Sequence, residues 1–306
     1  MKTKTITNIA ASIKARLLNA ARERGCTFNT LLTRYANERF LYRLGKSPCR
    51  DNLILKGSNL FLIWQQGYPY RPTIDSDFLV MGRTDQDYLK SVFMDICSMQ
   101  VDKQDGLDFL SDSVEAAEIR EESQYGGTRI TLTGYLGTAK AHLQFDLGIG
   151  DVVTPSPEWQ EYPVVLDFPA PVLRTYPKET AIAEKAKTMV TLGMVNSRMK
   201  DFADILVLQR NFDFGFALLR KAVENTFARY GVSMPEQIPM CFSSDFANSP
   251  MKQRQWTAFI GKAEIKDLPA AFSDVMRECS AFLLPLLVPS YSSPGKWMAE
   301  QRRWIA

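Results

Sequence analysis

The stretch Lys56-Gly57-Ser58, followed by Asp75-Ser76-Asp77, most constrains how this chain can fold. The apolar run ending at Leu55 predicts a strand. Gly57-Ser58 then predicts a turn opening a short helix, whose backbone N–H groups can bind phosphate. Aspartates at i and i+2 on a second strand point their carboxylates toward one face. Brought together on one sheet, these parts predict a site in which Asp75 and Asp77 hold Mg²⁺ against a triphosphate bound by the Lys56-Gly57-Ser58 segment.

A third carboxylate is expected on a neighbouring strand to complete this site. Asp146 fits because it lies within the otherwise apolar run Leu143-Gln144-Phe145-Asp146-Leu147. An acid buried there without a partner would be destabilising, so a cation is expected to face it. That cation is either a metal ion shared with Asp75 and Asp77, or a nearby arginine in an ordinary ion pair.

Hydrophobic periodicity divides the chain into an α/β half and a mainly helical half. In the first half it predicts helices over 12–24, 29–44, 59–66 and 87–100, and strands over 50–55, 73–80, 129–135 and 140–149. The last two strands form a hairpin. In the second half it predicts helices over 179–192, 199–211, 214–230, 251–262 and 268–288. The proline-rich passage from Pro155 to Pro177 marks the boundary, which predicts domains 1–170 and 171–306.

The second half contains one inward-facing lysine and a pair of acids. Lys185 lies on the apolar stripe of the helix predicted over 179–192, where a lysine requires a carboxylate or a phosphate, unless its stem only extends to the domain edge. Asp201 and Asp204 share one face of the next helix at i, i+3. Together with Lys185 and Arg198, these two acids predict a cluster of charged side chains that holds either a functional lysine or the nucleotide. Alternatively, Asp201 only complements the helix dipole.

Basic residues are concentrated in the first fifty positions, which carry eleven Lys and Arg against two Glu. The resulting charge of +9, within a chain whose net charge is +3, is typical of a nucleic-acid partner. The alternative is a solvated face that opposes the acidic segment 85–122.

The composition, with 45% hydrophobic and 23% charged residues, is that of a globular protein. No apolar run approaches the roughly 18 residues needed to span a bilayer, and no signal peptide is indicated. The five scattered cysteines and the single histidine argue against a zinc site and fit a reducing cytoplasm. A monomer is the default expectation.

These segments resemble the AbiEii/AbiGii family of nucleotidyltransferase-like toxins, part of the wider polymerase-β-type nucleotidyltransferase superfamily. The resemblance covers most of the chain to about residue 230. It is carried by Leu55-Lys56-Gly57-Ser58, Thr73-Ile74-Asp75-Ser76-Asp77, Phe145-Asp146-Leu147-Gly148, Ala183-Glu184-Lys185 and Ser197-Arg198-Met199-Lys200-Asp201-Phe202-Ala203-Asp204, with Ala15-Arg16-Leu17-Leu18-Asn19 and Leu32-Thr33-Arg34-Tyr35 near the N-terminus.

The resemblance implies an α+β fold, in which a nucleotidyltransferase-type mixed β-sheet with flanking helices is followed by a mainly helical C-terminal domain. It implies a type IV toxin–antitoxin or abortive-infection toxin of phage defence, encoded beside a cognate antitoxin. Such an enzyme uses an NTP and Mg²⁺ to add nucleotides to the 3′ acceptor end of tRNA, which blocks translation.

The family's functional residues transfer to matching positions of this chain. Gly57 and Ser58 would hold phosphate, and Asp75, Asp77 and Asp146 would bind metal. Lys185 would contact the triphosphate, and Asp201 would be an essential acid. Asp204 would support either Lys185 or Asp201.

Two other functions are weighed against this one. A nucleotidyltransferase acting on a protein hydroxyl or on a small molecule such as an aminoglycoside would need a different acceptor site, and an aminoglycoside site should be acidic. A non-catalytic nucleotide- or RNA-binding module would be expected to have lost one of Asp75, Asp77, Lys185 or Asp201. All four are present.

Overall fold

The structure is a computed structural model that describes residues 8–67, 75–119, 126–263, 267–290 and 295–306. The chain forms two compact units. Unit 1 comprises Met1–Gly150 and Glu158–Thr175, and unit 2 comprises Asp151–Pro157 and Tyr176–Ala306. The predicted domains, 1–170 and 171–306, stay a prediction.

Unit 1 is built on a seven-stranded mixed sheet, which confirms the predicted fold class. Its strands are β1 (Leu53–Lys56), β2 (Ser76–Val80), β3 (Leu107–Ile119), β4 (Gly127–Leu136), β5 (Ala139–Ile149), β6 (Glu158–Glu161) and β7 (Val172–Thr175). The order across the sheet is β3-β4-β5-β2-β1-β7-β6. The pairs β2/β5 and β1/β7 are parallel, and the other neighbours are antiparallel.

Helices α1 (Ile9–Glu23), α2 (Phe28–Lys46), α3 (Leu60–Trp64) and α4 (Gln86–Ser98) complete this unit. The core is aromatic: the ring of Phe145 on β5 lies 4.7 Å from that of Phe40 on α2 and 5.1 Å from that of Phe93 on α4. Because side chains alternate along a strand, Asp146 points to the sheet face opposite this core.

Three strands were not predicted. β3 is an edge strand with a register shift between Leu110 and Glu115, and its many polar side chains hide the alternation that marks a strand. β6 and β7 lie in the proline-rich passage, where β7 is stabilised by pairing with β1 from far along the chain. The strand predicted over 73–80 begins at Ser76, and residues 73–74 lie outside the described part of the chain.

Unit 2 is mainly helical, as predicted. Its helices are α5 (Lys178–Leu192), α6 (Met199–Asn211), α7 (Phe216–Arg229), α8 (Ser244–Ala247), α9 (Pro250–Ala263) and α10 (Phe272–Leu287). A small sheet was not foreseen, with β8 (Phe214–Gly215), β9 (Lys296–Met298) and β10 (Arg303–Ile305) in the order β10-β9-β8. The short β8 explains why the helix predicted from 214 begins at Phe216.

Trp256 and Trp297 are core residues of unit 2. Trp297 is 1% exposed, its ring lies 4.8 Å from that of Phe282, and its indole N–H donates to the carbonyl of Gln209 at 2.7 Å. Trp256 is fully buried. Among the described residues, no helix is long and apolar enough to cross a membrane.

Part of the N-terminal basic charge is buried, so the charge of +9 counted from the sequence overstates the positive charge at the surface. Arg43 is 4% exposed and forms a bidentate ion pair with Asp105, with its closer contact at 2.6 Å. Arg39 is 1% exposed and donates to the carbonyl of Pro169 at 2.7 Å. These two cations hold unit 1 together and are not available to a nucleic acid.

Candidate active site

Gly57 lies directly against the carboxylate of Asp77. β1 and β2 pair antiparallel with Lys56 opposite Asp77, so the turn after Lys56 passes the Asp77 side chain. Gly57 has φ of 72°, and a Cβ at this position would lie 1.9 Å from Asp77 Oδ2. Only glycine combines this backbone conformation with so close an approach. The structure thus brings together the two motifs that the sequence predicted to meet.

Four charged residues form a row across adjacent strands. The pairing registers place Arg129 on β4 opposite Asp146 on β5, Asp146 beside Asp77 on β2, and Asp77 opposite Lys56 on β1. Residues paired in this way point to the same face of a sheet. We call Arg129, Asp146, Asp77 and Lys56 the charged row. Its two carboxylates are flanked by one cation on each side.

The cation facing Asp146 is Arg129. Its Nε donates to Asp146 Oδ1 at 2.8 Å and its Nη2 donates to Oδ2 at 2.7 Å, so the ion pair is bidentate. The pKa of Arg129 is raised, chiefly by these hydrogen bonds and further by the charges of Asp75 and Asp77. Arg129 therefore acts electrostatically on all three carboxylates that were predicted to bind metal.

Lys56 reaches from β1 toward β5. A Cβ at Gly148 would lie 3.3 Å from Lys56 Nζ, so the missing side chain of Gly148 makes room for the ammonium group. Gly148 lies two residues after Asp146 and on the same face of the sheet. The position of Lys56 Nζ therefore explains the glycine in the Phe145-Asp146-Leu147-Gly148 motif.

A buried polar network fixes the start of β2, and sequence reasoning gave its members no role. Asn59 Nδ2 donates to the carbonyl of Asp75 at 2.8 Å and to Ser76 Oγ at 3.0 Å. Asn59 Oδ1 accepts from the hydroxyl of Tyr162 at 2.9 Å, and Ser76 Oγ donates to Asn37 Oδ1 at 3.0 Å. Asn59 immediately follows Gly57-Ser58 and precedes an apolar run, which is the one local signal that it is buried.

The residues of this face fit a divalent metal completed by a substrate. Within the described residues, no three acidic, histidine or cysteine side chains converge into a ready-made metal site. Mg²⁺ commonly takes one or two carboxylates and completes its shell with substrate phosphates and water. Asp77 and Asp146, adjacent on parallel strands, offer two such hard oxygen donors. Metal ligation by Asp146 stays a prediction, and the arginine alternative is the arrangement present here.

The predicted acids and lysine of unit 2 form one connected cluster. Lys185 Nζ on α5 lies 2.6 Å from Asp204 Oδ2 and 3.2 Å from Asp201 Oδ1, both on α6. Arg198 Nε donates to Asp201 Oδ2 at 2.7 Å. The inward orientation of Lys185, inferred from the apolar stripe, is therefore met by carboxylates.

The two acids of this cluster differ in their titration. Burial raises the pKa of Asp204, which is fully buried. Burial acts in the same direction on Asp201, but the charges of Lys185 and Arg198 outweigh it and lower the pKa of that carboxyl. Asp201 is therefore the firmly ionised member, and Lys185 joins it to a carboxylate that has no exposure to water.

A buried lysine supports this cluster and was missed in the sequence. Lys252 on α9 is fully buried, and its Nζ donates to the carbonyl of Asn196 at 2.6 Å. The Asn196 side chain accepts from the backbone N–H of Arg198 at 2.9 Å, which fixes the approach to α6. Lys252 lies four residues before the buried Trp256 and on the same side of α9, so the apolar stripe of this helix is the signal that could have found it.

The predicted site residues thus fall in both units. Unit 1 carries Lys56, Gly57, Ser58, Asp75, Asp77 and Asp146, and unit 2 carries Lys185, Arg198, Asp201 and Asp204. The sequence also offers Tyr68, Tyr70 and Arg71, shortly before Asp75, as weaker candidates for substrate contact, and all three lie outside the described residues. Gly57–Asn59 forms a 3₁₀ turn before α3, so the predicted helix over 59–66 is reduced to five α-helical residues.

Gly57→Ala is expected to lower nucleotide transfer at least about 100-fold, since a methyl group at this position displaces the Asp77 carboxylate. The left-handed backbone adds about 1–2 kcal/mol of lost stability. The matched control is Gly25→Ala, where φ is 64° and no atom lies within 4 Å of the new Cβ. It should show the stability loss alone. Equal transfer rates in the two variants would mean that the contact between Gly57 and Asp77 has no role in activity.

A family model described as "Nucleotidyl transferase AbiEii toxin, Type IV TA system" matches residues 39–278. A search among curated proteins gave no match. Two solved structures from Helicobacter pylori are similar over the chain. JHP933 is 11% identical, with a TM-score of 0.44, covering 92% of this chain and 93% of its own. A "putative nucleotidyltransferase" is 13% identical, with a TM-score of 0.38, covering 90% and 97%.

The two structural likenesses are too distant to carry an argument, and the assignment rests on the family match. That match spans well over half of the chain and includes every site residue that the sequence predicted. The resemblance stated from the sequence is thereby confirmed, and the protein belongs to the AbiEii family of nucleotidyltransferase toxins of type IV toxin–antitoxin systems.

Proposed function

We propose that this nucleotidyltransferase transfers NMP from an NTP to the 3′ acceptor end of tRNA in a Mg²⁺-dependent reaction that inhibits translation and growth. The contact of Gly57 with the Asp77 carboxylate, beside Asp146, is the observation that most supports the proposal. We further propose that the protein acts as a monomer in the cytoplasm. Membership of the family implies a nucleotide substrate and a cognate antitoxin.

In this proposal the charged face of unit 1 carries the chemistry. The turn at Gly57-Ser58 and the ammonium group of Lys56 bind the triphosphate. Asp75 and Asp77, with Asp146, hold Mg²⁺, which neutralises charge on the phosphates when it is bound. The acceptor hydroxyl oxygen bonds to the α-phosphorus while the bond to the β-phosphate bridge breaks. The hydroxyl proton is released and pyrophosphate leaves.

The resemblance to the family also assigns roles to the charged cluster of unit 2. Lys185 is assigned to the triphosphate, and Asp201 and Asp204 hold its ammonium group in place. Asp201 is assigned as the essential acid of this unit, oriented by Arg198. The support for these roles is the cluster itself, since a lysine held between two buried acids is positioned far more tightly than a surface lysine.

The acceptor is proposed to be RNA because α1 presents exposed positive charge. Arg16 and Arg22 are exposed on this helix and Arg24 is exposed directly after it, in contrast to the buried Arg39 and Arg43. A guanidinium group on a surface helix binds phosphate through charge and through hydrogen bonds. The exposed fraction of the N-terminal charge, rather than the whole +9, supports this part of the proposal.

The proposal is tested by incubating the purified protein with total tRNA, Mg²⁺ and each α-labelled NTP in turn. Label is expected on tRNA in a denaturing gel with at least one NTP, and none is expected with Asp75→Ala. Label on protein or on an aminoglycoside, with none on RNA, would replace the RNA acceptor by the alternative. A folded protein that binds no NTP would be a non-catalytic module.

Charge reversal of Arg16, Arg22 and Arg24 to Glu is expected to weaken tRNA binding by at least about tenfold at low salt, and much less at high salt. Each lost phosphate contact lowers the slope of log K against log salt concentration by about 0.7–0.9. Fluorescence anisotropy with labelled tRNA over a salt series measures both effects.

The control for this experiment reverses three exposed lysine and arginine residues of unit 2, namely Lys221, Arg254 and Lys262. This control changes the net charge by the same amount. If both triple variants lose the same affinity, only net charge matters and α1 is not an RNA-binding surface.

A further inference from the structure

We propose that Arg129 binds a phosphodiester near the 3′ end of the RNA acceptor, in the cleft beside β3 and β4, after exchanging its ion pair with Asp146. This inference rests on the proposed function, because it concerns the acceptor of the same reaction. It adds a binding residue and the side of the sheet on which the acceptor lies.

The order of the strands determines that side. In-line displacement requires the attacking hydroxyl and the leaving pyrophosphate to lie on opposite sides of the α-phosphorus. The Gly57-Ser58 turn, which binds the triphosphate in the proposed function, follows β1. β2 and β5, with Asp77 and Asp146, come next in the sheet, followed by β4 with Arg129. An acceptor opposite the triphosphate therefore approaches from the β4 side of the charged row.

A cleft lies on that side. Its volume is about 410 Å³, and it is lined by Lys90, Glu115, Ala116, Ala117, Arg129 and Thr131. Ala117 pairs with Arg129 and Glu115 with Thr131, so these residues continue the face of the charged row from β4 onto β3. On the face of the charged row the cleft has Arg129 as its cation and Glu115 as its acid, whereas Lys90 comes from α4, which packs on the aromatic face of the sheet through Phe93. The small side chain of Ala117, paired with Arg129, leaves space beside the guanidinium group.

The exposure and the hydrogen-bond partners of Arg129 allow such an exchange of anions. Its side chain is 43% exposed, and Asp146 uses both carboxylate oxygens to accept from it. A metal held by Asp146 would compete with Arg129 for the lone pairs and the negative charge of this carboxylate, and would so weaken its hold on the guanidinium group. A phosphate offers the same two-oxygen geometry as a carboxylate and is the natural replacement.

Gln144 keeps the guanidinium group in place during the exchange. With the amide oriented to satisfy its neighbours, Gln144 Oε1 accepts from Arg129 Nε at 3.2 Å and from Nη2 at 3.3 Å. Gln144 lies two residues before Asp146 on β5, on the same face. Arg129 therefore retains a neutral partner when it loses the charged one, which favours binding of a new anion.

The test measures RNA binding without turnover. The probe is a fluorescein-labelled single-stranded RNA of twelve nucleotides that ends in a 3′-deoxynucleotide, titrated by anisotropy with and without Mg²⁺ and NTP. Arg129→Gln is expected to raise the Kd for this RNA about tenfold in the presence of Mg²⁺ and NTP, and to lower the salt slope by about 0.7. The affinity for NTP, measured by calorimetry, should stay within about twofold of the wild-type value.

Asp146→Asn separates this role from a purely structural ion pair. Removing the negative charge releases Arg129, so this variant should bind the RNA several-fold more tightly than the wild type in the absence of Mg²⁺. The double variant Arg129→Gln/Asp146→Asn should bind as weakly as Arg129→Gln. The control Lys140→Gln, on the exposed end of β5, should bind as the wild type does.

A structural ion pair predicts a different pattern, in which both single variants lower the unfolding temperature and neither raises RNA affinity. That result, or an unchanged Kd in a folded Arg129→Gln variant, would overturn the inference. If the wild type labels tRNA but Arg129→Gln binds the probe normally, the proposed function stands and only this inference fails. If the wild type neither labels nor binds RNA, the proposed acceptor is wrong and this inference fails with it.

Discussion

Asp77→Asn is expected to lower the rate of nucleotide transfer by about 10³-fold or more while leaving unit 1 folded. Asparagine keeps the shape of the side chain, so the contact with Gly57 is retained and only the charge is lost. That charge lies at the centre of the charged row, where Mg²⁺ and the triphosphate are proposed to meet. The measurement is the initial rate of labelled NMP incorporation, with the unfolding temperature measured on the same sample.

The matched control is Asp108→Asn on β3, an exposed aspartate of the same sheet. It removes an equal charge from unit 1 without touching the charged row and should transfer nucleotides at the wild-type rate. If Asp77→Asn retains more than a tenth of the wild-type activity, Asp77 is not a metal ligand. The proposed metal site on the charged row is then wrong.

Lys185→Ala is expected to abolish transfer and to destabilise the protein as well. The lysine joins two acids that are 2% and 0% exposed, Asp201 and Asp204. Removing one partner of a buried ion pair leaves uncompensated charge and typically costs about 3–5 kcal/mol. Urea unfolding should show a lower free energy of unfolding for Lys185→Ala. The same substitution at the exposed Lys221 of α7 should change that free energy by less than about 0.5 kcal/mol.

A second variant separates the catalytic role of Lys185 from its structural one. Lys185→Met combined with Asp204→Asn removes both the cation and one buried acid, which should restore much of the lost stability. Transfer should remain absent, because no ammonium group is left to contact the triphosphate. Recovery of transfer together with stability would mean that Lys185 only holds unit 2 together.

Most of the longer helices were predicted because they carry apolar residues at helical spacing. The four-residue α8 was not predicted, α3 is shorter than the predicted 59–66, and α10 begins at Phe272 instead of at 268. The helix predicted over 199–211 is α6 to the residue, and α2 extends the predicted 29–44 by one residue before and two after. The strands were predicted less well than the helices. β3 has polar side chains on both faces over much of its length, and β7 is stabilised by pairing with β1, more than one hundred residues earlier in the chain.

The ion pair between Arg129 and Asp146 could have been predicted from the sequence. The hairpin of β4 and β5 was predicted with the connection Leu136-Gly137-Thr138-Ala139, and counting equally from the middle of that connection along both strands pairs these two residues. The count of basic residues, by contrast, could not show that Arg39 and Arg43 are buried, since exposure depends on which faces of α2 the sheet and loops cover.

By itself, the sequence determined the family, the helical and hairpin elements, and the residue types that the chemistry requires, because motif spacing and periodicity are local properties. Only the tertiary structure decided which of those residues meet. Strand register placed Asp77 beside Asp146 and brought Gly57 against the Asp77 carboxylate, and helix packing enclosed Lys185 between two acids. Such contacts join residues that are distant in the chain, and their energies depend on burial, which no local pattern specifies.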